Sequence, residues 1–419
     1  MIAYTDYRFD GRVRLEAGSL VEWGYEVTFL VPREAAQAKT YTLEGVIVKE
    51  LSVDKYDGKN KLVYVYSYLM FLILAAIECT RLFFHSGVRA IHVHNMPDIL
   101  VFAAAVPRLF GCKVVLDLHD AVPEMYQAKF EKSSGLVVWL LRWEERICCA
   151  LAHRVICVNH VQKDIVSARG VPAGKIATVI TMPKFVPPTR TRQERTQDSA
   201  FRMVNHGTIS KRLGNDLILG AAAQLINKIP NFELHFVGAG DNLEQVLTLS
   251  RSMGLEGHVH FHERVPWNQL SEKLSTMDAG IVANRITAAT DLMLPSKLID
   301  YVVLGIPAIV PRLKAIEYYF SPDMVSFFEA EDIDSMVAAT MRLYEDKDRR
   351  RQQPINAKKF WFENQWDGPK SGLRNLYAEL FQERGRSGMK LEAMKVDTNA
   401  RAATATGVPS ERETHTSVQ

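Results

Sequence analysis

One feature restricts the fold of this 419-residue chain more than any other. Short apolar runs alternate with helix-like segments, and the series is broken once by a polar stretch. The first series has strands at 26–31, 46–53, 90–94, 113–118, 154–158 and 176–180. Helical patterns lie at 10–23, 66–85, 97–110, 134–151 and 161–169. Lys184 to Ala200, KFVPPTRTRQERTQDSA, then has two prolines, six charges and little to bury, so it reads as a linker. The second series has strands at 201–206, 232–237, 259–262, 279–282 and 307–311, with helices at 215–228, 243–253, 270–276, 295–304 and 333–345. A terminal helix is expected over 360–384, after the basic run 346–359, and a polar, disordered tail from 386 to 419. Each series implies a mostly parallel sheet covered by helices, hence an α/β chain of two Rossmann-like domains. Such a domain normally begins with a full central strand, yet only Met1 to Tyr4 precedes the helix at Asp10. Either that strand is shortened or the natural chain begins further upstream.

Bulk properties narrow the function. Hydrophobic residues make up 47% and charged residues 24%, as in soluble proteins with sizeable cores. A net charge of +3 does not suggest nucleic-acid binding. The five cysteines lack metal or disulfide spacing and read as thiols in a reducing cytoplasm. No basic region followed by an apolar core opens the chain as a signal peptide would. Leu62 to Ile77 is a 16-residue apolar run, short of the roughly 20 residues that span a bilayer. It is expected as a buried or half-buried helix; the alternative is a helix resting on a membrane surface.

Chemistry concentrates at strand ends. In DLMLPSKLIDYVVLGIPAIVP, residues 291–311, Pro295 suits the first helical position. Ser296 and Lys297 then lie in the first turn, where free amides and the helix dipole favour an anion. Asp300 projects from the same side as Lys297. An anion cradle, a cation and a carboxylate together suit a nucleotide-sugar; the plain alternative is an ordinary αβ unit. In HGTISKRLG, Gly207 allows close backbone approach, and Lys211 and Arg212 offer cations to a diphosphate, or form a solvated basic loop. Gly238 and Gly240 follow the next strand as a turn or a ligand border, and Val265 follows the one after. VVLDLHDAVPEMY brings Asp117, His119, Asp120 and Glu124 to a strand end, while His94, Asn95 and Asp98 end the preceding strand. His92 is expected in the core. His235, His258, His260 and His262 look scattered, no His/Cys set has closed zinc spacing, and no metal is expected.

Several of these segments carry a resemblance. Pro295, Ser296, Lys297, Leu298, Asp300 and Tyr301, followed by Gly305 and Pro307, resemble the donor signature of retaining GT-B glycosyltransferases of family four, glycosyl transferases group 1. The Gly207 to Gly214 loop, the pattern Asp117-x-His119-Asp120 with Pro123-Glu124, and Asp10-x-Arg12-Val13 are similar to segments of the same family. Leu292 stands where many members have the first of two glutamates, and Thr208 and Leu213 replace an Arg and a Lys of the basic loop. The resemblance implies an acceptor-side domain at 1–187, a linker at 188–200, a donor domain at 201–359 and a helix at 360–385 returning to the first domain. It implies transfer of a sugar, with retention, from a nucleoside diphosphate donor to a glycan or lipid-linked acceptor. His119, Arg212 and Lys297 would be catalytic. Gly207, Lys211, Gly238, Gly240, Val265, Pro295, Ser296 and Asp300 would bind donor, and His94, Asn95, Asp120 and Glu124 would face acceptor. No cofactor beyond the nucleotide-sugar is implied, and the setting would be cytoplasmic or peripheral at the inner membrane face. A sugar-nucleotide epimerase of the same fold and a non-catalytic nucleotide-binding scaffold are the alternatives.

Overall fold

The central strand of the first domain is a single residue. Ile2 forms parallel bridges to Leu30 on one side and Val93 on the other. Its own N–H donates to the His92 carbonyl and its carbonyl accepts from His94, while Leu30 exchanges bonds with Met1 and Ala3. A central strand is therefore present at this place, formed by one bridging residue. The computed structural model of the protein describes residues 1–34, 39–56, 58, 60–130, 135–184, 200–368 and 371–382. The expected linker, apart from Lys184 and Ala200, and the tail from 386 lie outside them.

On one side of Ile2 lie β1 (Thr28–Arg33), β2 (Thr40–Leu43) and β3 (Val46–Asp54), in the order β1-β3-β2. On the other lie β4 (Ala90–His94), β5 (Lys113–Leu118), β6 (Arg154–Cys157) and β7 (Ile176–Thr178), in sequence order. All pairs are parallel except β2 with β3. The edge strand β2, TYTL, has no buried residue and so gave no apolar signal. The helices are α1 (Gly11–Glu22), α2 (Lys61–Ser86), α3 (Ala105–Leu109), α4 (Val122–Phe130), α5 (Leu136–Leu151) and α6 (His160–Ala168). Asp10, Asn60 and Asn159 cap α1, α2 and α6 with their side-chain oxygens. The expected helix at 97–110 is a 3-10 turn over Asp98–Ala104 that runs into the short α3. Pro107 has no N–H to donate to Ala103, which favours the tighter pitch ahead of it. Helix α2 has 26 residues, well beyond its 16-residue apolar run.

The second domain contains β8 (Phe201–Thr208), β9 (Phe232–Ala239), β10 (Val259–His262), β11 (Ala279–Ile281), β12 (Ala308–Pro311) and β13 (Ser326–Phe328). They form one parallel sheet in the order β10-β9-β8-β11-β12-β13. The order reverses between β8 and β11, and a crevice at such a switch point is where doubly wound sheets bind ligands. Its helices are α7 (Asn215–Leu225), α8 (Leu243–Ser252), α9 (Trp267–Leu274), α10 (Ser296–Leu304), α11 (Lys314–Tyr319) and α12 (Ile333–Glu345). Leu219, Ala222, Phe232, Leu234, Phe236 and Ile281 are fully buried at its centre. The basic run is helical within α13 (Lys347–Glu363), and the expected single terminal helix is broken before α14 (Gly372–Gln382). In the break, buried Trp366 donates its indole N–H to Ser19 Oγ on α1 at 2.7 Å.

Replacing Trp366 with Phe leaves the Ser19 hydroxyl, 1% exposed, without this partner. Urea unfolding of Trp366→Phe is expected to show a loss of about 1–3 kcal/mol, partly recovered in the Trp366→Phe/Ser19→Ala double variant. Equal stability of wild type and Trp366→Phe would contradict this tie.

Candidate active site

The second-domain half is built from loops at the ends of β8, β9 and β11. A Cβ at Gly238 would stand 1.9 Å from the Gly207 carbonyl oxygen, and one at Gly240 would stand 2.0 Å from that of Ile209. One at Gly214, where φ is +63°, would stand 2.0 Å from that of Ala283. Gly238 and Gly240 thus let neighbouring loops pack backbone against backbone. Gly207, at φ +92°, has nothing within 4 Å of its Cβ position, so open space lies beside its main chain.

Lys211 and Arg212 occupy an exposed 3-10 turn just before α7. Among the described residues no carboxylate pairs with Arg212. Its guanidinium lies 3.7 Å from Met293 Sδ and 4.0 Å from Met125 Sδ, the latter on α4 of the first domain. A third cation, Arg285, follows β11 and escaped the sequence reading. It bonds the Lys211 carbonyl and pairs with Asp216.

Pro295 is the N-cap of α10, not its first helical residue, because its ψ of 128° is extended. No side chain caps this helix, and Ser296 in its first turn is exposed. Lys297 is 6% exposed and donates to Asn205 Oδ1 at 3.0 Å. Asn205 in turn donates to the Ile281 carbonyl, so Lys297 is fixed between β8 and β11. Burial lowers the Lys297 ammonium to about 8 and raises the Asp300 carboxyl to about 7. Asp300 stays 19% exposed, 3.6 Å from Nε2 of His206, a neighbour the sequence did not reveal. Burial and then the Lys297 charge push His206 down to about 3, leaving it neutral. Val265 is half-buried in the loop after β10. Five buried atoms lack any partner on the segments ending β8 and β11: His206 Nε2, Ser210 Oγ, Asn215 Oδ1, Asp216 Oδ1 and Asn284 Oδ1. Leaving a buried polar atom unbonded costs about 1–3 kcal/mol, so each of these atoms calls for a partner from water or a ligand.

The first-domain half centres on Asp117, fully buried at the end of β5. Arg12 of α1 donates to Asp117 Oδ1 at 2.9 Å, and His119 and His94 reach its Oδ2 at 2.8 and 3.2 Å. Burial would raise Asp117, but the charge of Arg12 and the hydrogen bonds from His119 and His94 outweigh it and hold the carboxylate well below its usual range. Glu16, 3.1 Å from Arg12, goes the other way: burial and the Asp117 charge push its carboxyl well above the usual range. His92 and His94 share one face of β4, as a period of two requires, and their rings stack at 4.4 Å. Both are buried and burial lowers both, His94 to about 4. His119 alone of this column reaches solvent, with its side chain 19% exposed. The hydrogen-bond pattern makes Nε2–H the donor to Asp117 and leaves Nδ1 as an acceptor.

Three of the residues expected on the acceptor side are buried and engaged. His94 is fully enclosed beneath His119. Asn95 accepts from the His119 N–H at 2.7 Å and donates to Asp98 and to the Asp120 carbonyl, so it is spent on holding the loop. Glu124 is buried and paired with Arg169. Asp120 alone of the four remains partly exposed. Asp291 is also engaged, accepting from the Lys314 N–H and pairing with its ammonium at 2.8 Å. Its neighbour Leu292 is buried, and the Leu292 carbonyl accepts from Asn159 of the first domain at 2.7 Å. His160 adds bonds to Tyr319 Oη from its N–H and Nδ1, so α6 ties the two domains beside the donor stretch. His235, His260 and Glu233 are not scattered: their ligand-type atoms lie within 4.8 Å of one another on β9 and β10. Arg202 already neutralises that carboxylate at 2.7 Å.

Two family profiles account for most of the chain. The glycosyl transferase 4-like domain matches residues 12–180, and glycosyl transferases group 1 matches residues 189–360. The chain belongs to this family of glycosyltransferases, and its fold is GT-B. Among its relatives is lipopolysaccharide 1,6-galactosyltransferase of Salmonella typhimurium, 23% identical over 235 residues. That match covers 53% of this chain and only 60% of the relative. Among solved structures, sucrose-phosphate synthase from Thermosynechococcus elongatus superposes with a TM-score of 0.69 at 16% identity, covering 89% of this chain and 93% of that one. The Anabaena protein HepE in complex with UDP-glucose gives 0.64 at 13% identity, covering 91% and 98%.

Removing Arg12 would leave Asp117 as an unpaired buried charge. Arg12→Met is expected to lower stability by about 3–5 kcal/mol in urea unfolding. A loss under about 1 kcal/mol would show that Asp117 is held in some other way.

Proposed function

We propose that the protein transfers a glycosyl group, with retention at the anomeric carbon, from a UDP-sugar to a hydroxyl of a glycan or lipid-linked acceptor at the inner face of a membrane. The observation that carries this reading is the set of five unpartnered buried polar atoms around Lys211, Arg212 and Lys297. Those atoms offer bonds to a nucleotide, while the cations lie where a diphosphate would sit. The HepE complex with UDP-glucose and the galactosyltransferase relative support UDP as the carrier. Retention rests on the family resemblance alone. No epimerase or scaffold is needed to explain any feature described above.

The rate-limiting difficulty is departure of the diphosphate. The bond from the sugar carbon to the β-phosphate oxygen breaks and its electron pair stays with UDP; the acceptor oxygen bonds that carbon and passes its proton to the departing diphosphate oxygen. Arg212, Lys297 and the first-turn amides of α10 stabilise the charge that grows on UDP. Asp300 accepts from the ribose hydroxyls. His119, held by Asp117 and by Asn95 through its own N–H, accepts from a hydroxyl of the transferred sugar. With these cations in place we propose that no divalent metal is required, so turnover should persist after exhaustive chelation.

Incubation with a panel of UDP-sugars and membrane glycolipid extracts should show transfer from one donor. Arg212→Ala is expected to lower that rate about 10²–10³-fold, and His119→Ala to lower transfer while leaving UDP affinity within about threefold, a twofold-scale change being small against one decade per 1.4 kcal/mol. Full activity of Arg212→Ala would sink the leaving-group role.

UDP affinity should also depend on pH in a defined way. Asp300 acts as a carboxylate above about 7 and Lys297 as an ammonium below about 8. Affinity should therefore peak between these values and fall on either side, by at most about tenfold per unit. Calorimetry from pH 6 to 9 should show the acid limb vanish in Asp300→Asn; a wild-type profile flat across that range would contradict both assignments.

A further inference from the structure

We infer that the outer face formed by α2, the 3-10 turn with α3, and α5 is a docking surface for an anionic lipid bilayer. This rests on the membrane-held acceptor proposed above for its purpose, but on independent residues for its evidence. Helix α2 buries one narrow stripe, Ser67, Phe71, Ala75, Glu78 and Cys79. Its opposite stripe is apolar and exposed: Leu62 (81%), Tyr66, Leu69, Ile73, Ile77 and Phe84. On α5, Leu136, Leu140, Trp143 and Ile147 repeat the pattern at helical spacing, with Trp139 beside them. The 3-10 turn packs against both helices and adds exposed Phe102, while Phe110 after α3 meets Phe84 edge-on at 5.3 Å. A helix on the surface of a water-soluble protein puts its polar residues outward. These helices do the reverse, and the face they make joins into one apolar surface of the kind that marks an interaction site.

The charges choose the occupant. Acids on the two helices turn inward: Glu78 pairs with Lys49 and Arg81, Glu145 pairs with Arg169, and Glu144 is partly buried. The exposed charges on them, among the described residues, are Arg81, Arg142 and Arg146. An apolar centre with basic side chains and no exposed acid fits an anionic headgroup layer above acyl chains. Trp139 and Trp143, 5.8 Å apart with the Arg146 guanidinium 5.6 Å from the Trp143 ring, suit the interfacial depth. Helix α2 is long and apolar enough to cross a bilayer. With one stripe packed on β3 and the 3-10 turn, it lies along the membrane instead.

The test uses the full chain with phosphatidylcholine vesicles, alone or with 30% phosphatidylglycerol, in a co-sedimentation titration. Binding is expected to be at least tenfold tighter to the anionic vesicles and to weaken in 0.5 M NaCl. The variants Leu69→Glu/Ile73→Glu and Trp139→Glu/Trp143→Glu alter exposed positions and should bind vesicles at least tenfold more weakly while keeping UDP affinity. Arg142→Gln/Arg146→Gln should lose the preference for phosphatidylglycerol. No binding to either vesicle, or unchanged binding by both glutamate variants, would overturn the proposal. So would a lipid-free dimer that the same glutamates dissociate, since the face would then belong to a second copy. Failure of the nucleotide reading would appear separately, as vesicle binding kept without any UDP affinity.

Discussion

The ion pair between Arg12 and Asp117 is the contact on which the first-domain half of the site depends. A carboxylate fully withdrawn from water is tolerable only with a close opposite charge and further hydrogen bonds. Arg12 supplies the charge, and His94 and His119 supply the bonds. The same guanidinium reaches Thr181 Oγ1 at 2.6 Å, so one side chain fastens α1, the end of β5 and the chain leaving β7. His119 takes its orientation from that assembly, and its ring can present only one nitrogen outward. Glu16 is pushed above the usual carboxylate range in the same setting, since it is buried beside Asp117 and shares Arg12 with it.

The donor half works on a different principle. Its cation is deep, its carboxylate is half-buried, and neither has a charged partner close by among the described residues. Both are therefore displaced from their ordinary protonation toward neutrality. On the proposed function a nucleotide would bring the missing partners and so couple binding strength to protonation here, whereas the Asp117 cluster has its partners without any ligand.

Much of this architecture was legible because its signals are local. Alternating apolar runs locate β4, β5 and β10 to the residue, and Gly305 in the left-handed conformation ends α10 where expected. What stayed hidden depends on contacts distant in sequence. The turn to 3-10 pitch before Pro107, the exposed strand β2 and the break around Trp366 carry no periodicity to read. In the site, Lys297 and Asp300 can be placed from their spacing along one helix. His206 and Arg285 cannot, since they meet that helix and the basic loop only once β8 and β11 pair. Glu124 and Asn95 are polar residues near strand ends whose partners could not be read from the sequence either: Arg169 pairs with the first, and the main-chain N–H of His119 donates to the second. The exposure of α2 was likewise invisible, because an apolar run does not say which of its faces the sheet will cover.

The one-residue strand at Ile2 has a mechanical consequence. Elsewhere in the first domain neighbouring strands share several consecutive rungs, whereas β1 and β4 are joined in the sheet through Ile2 and meet beyond it in the Phe29–His94 ring stack at 5.6 Å. The sheet alone is weakly joined at this seam, so helix packing carries much of the connection between its halves. Helix α2 lies across it, packed on β3 on one side and on the 3-10 turn over β4 and β5 on the other, so a load on its outer face is shared by both halves of the domain.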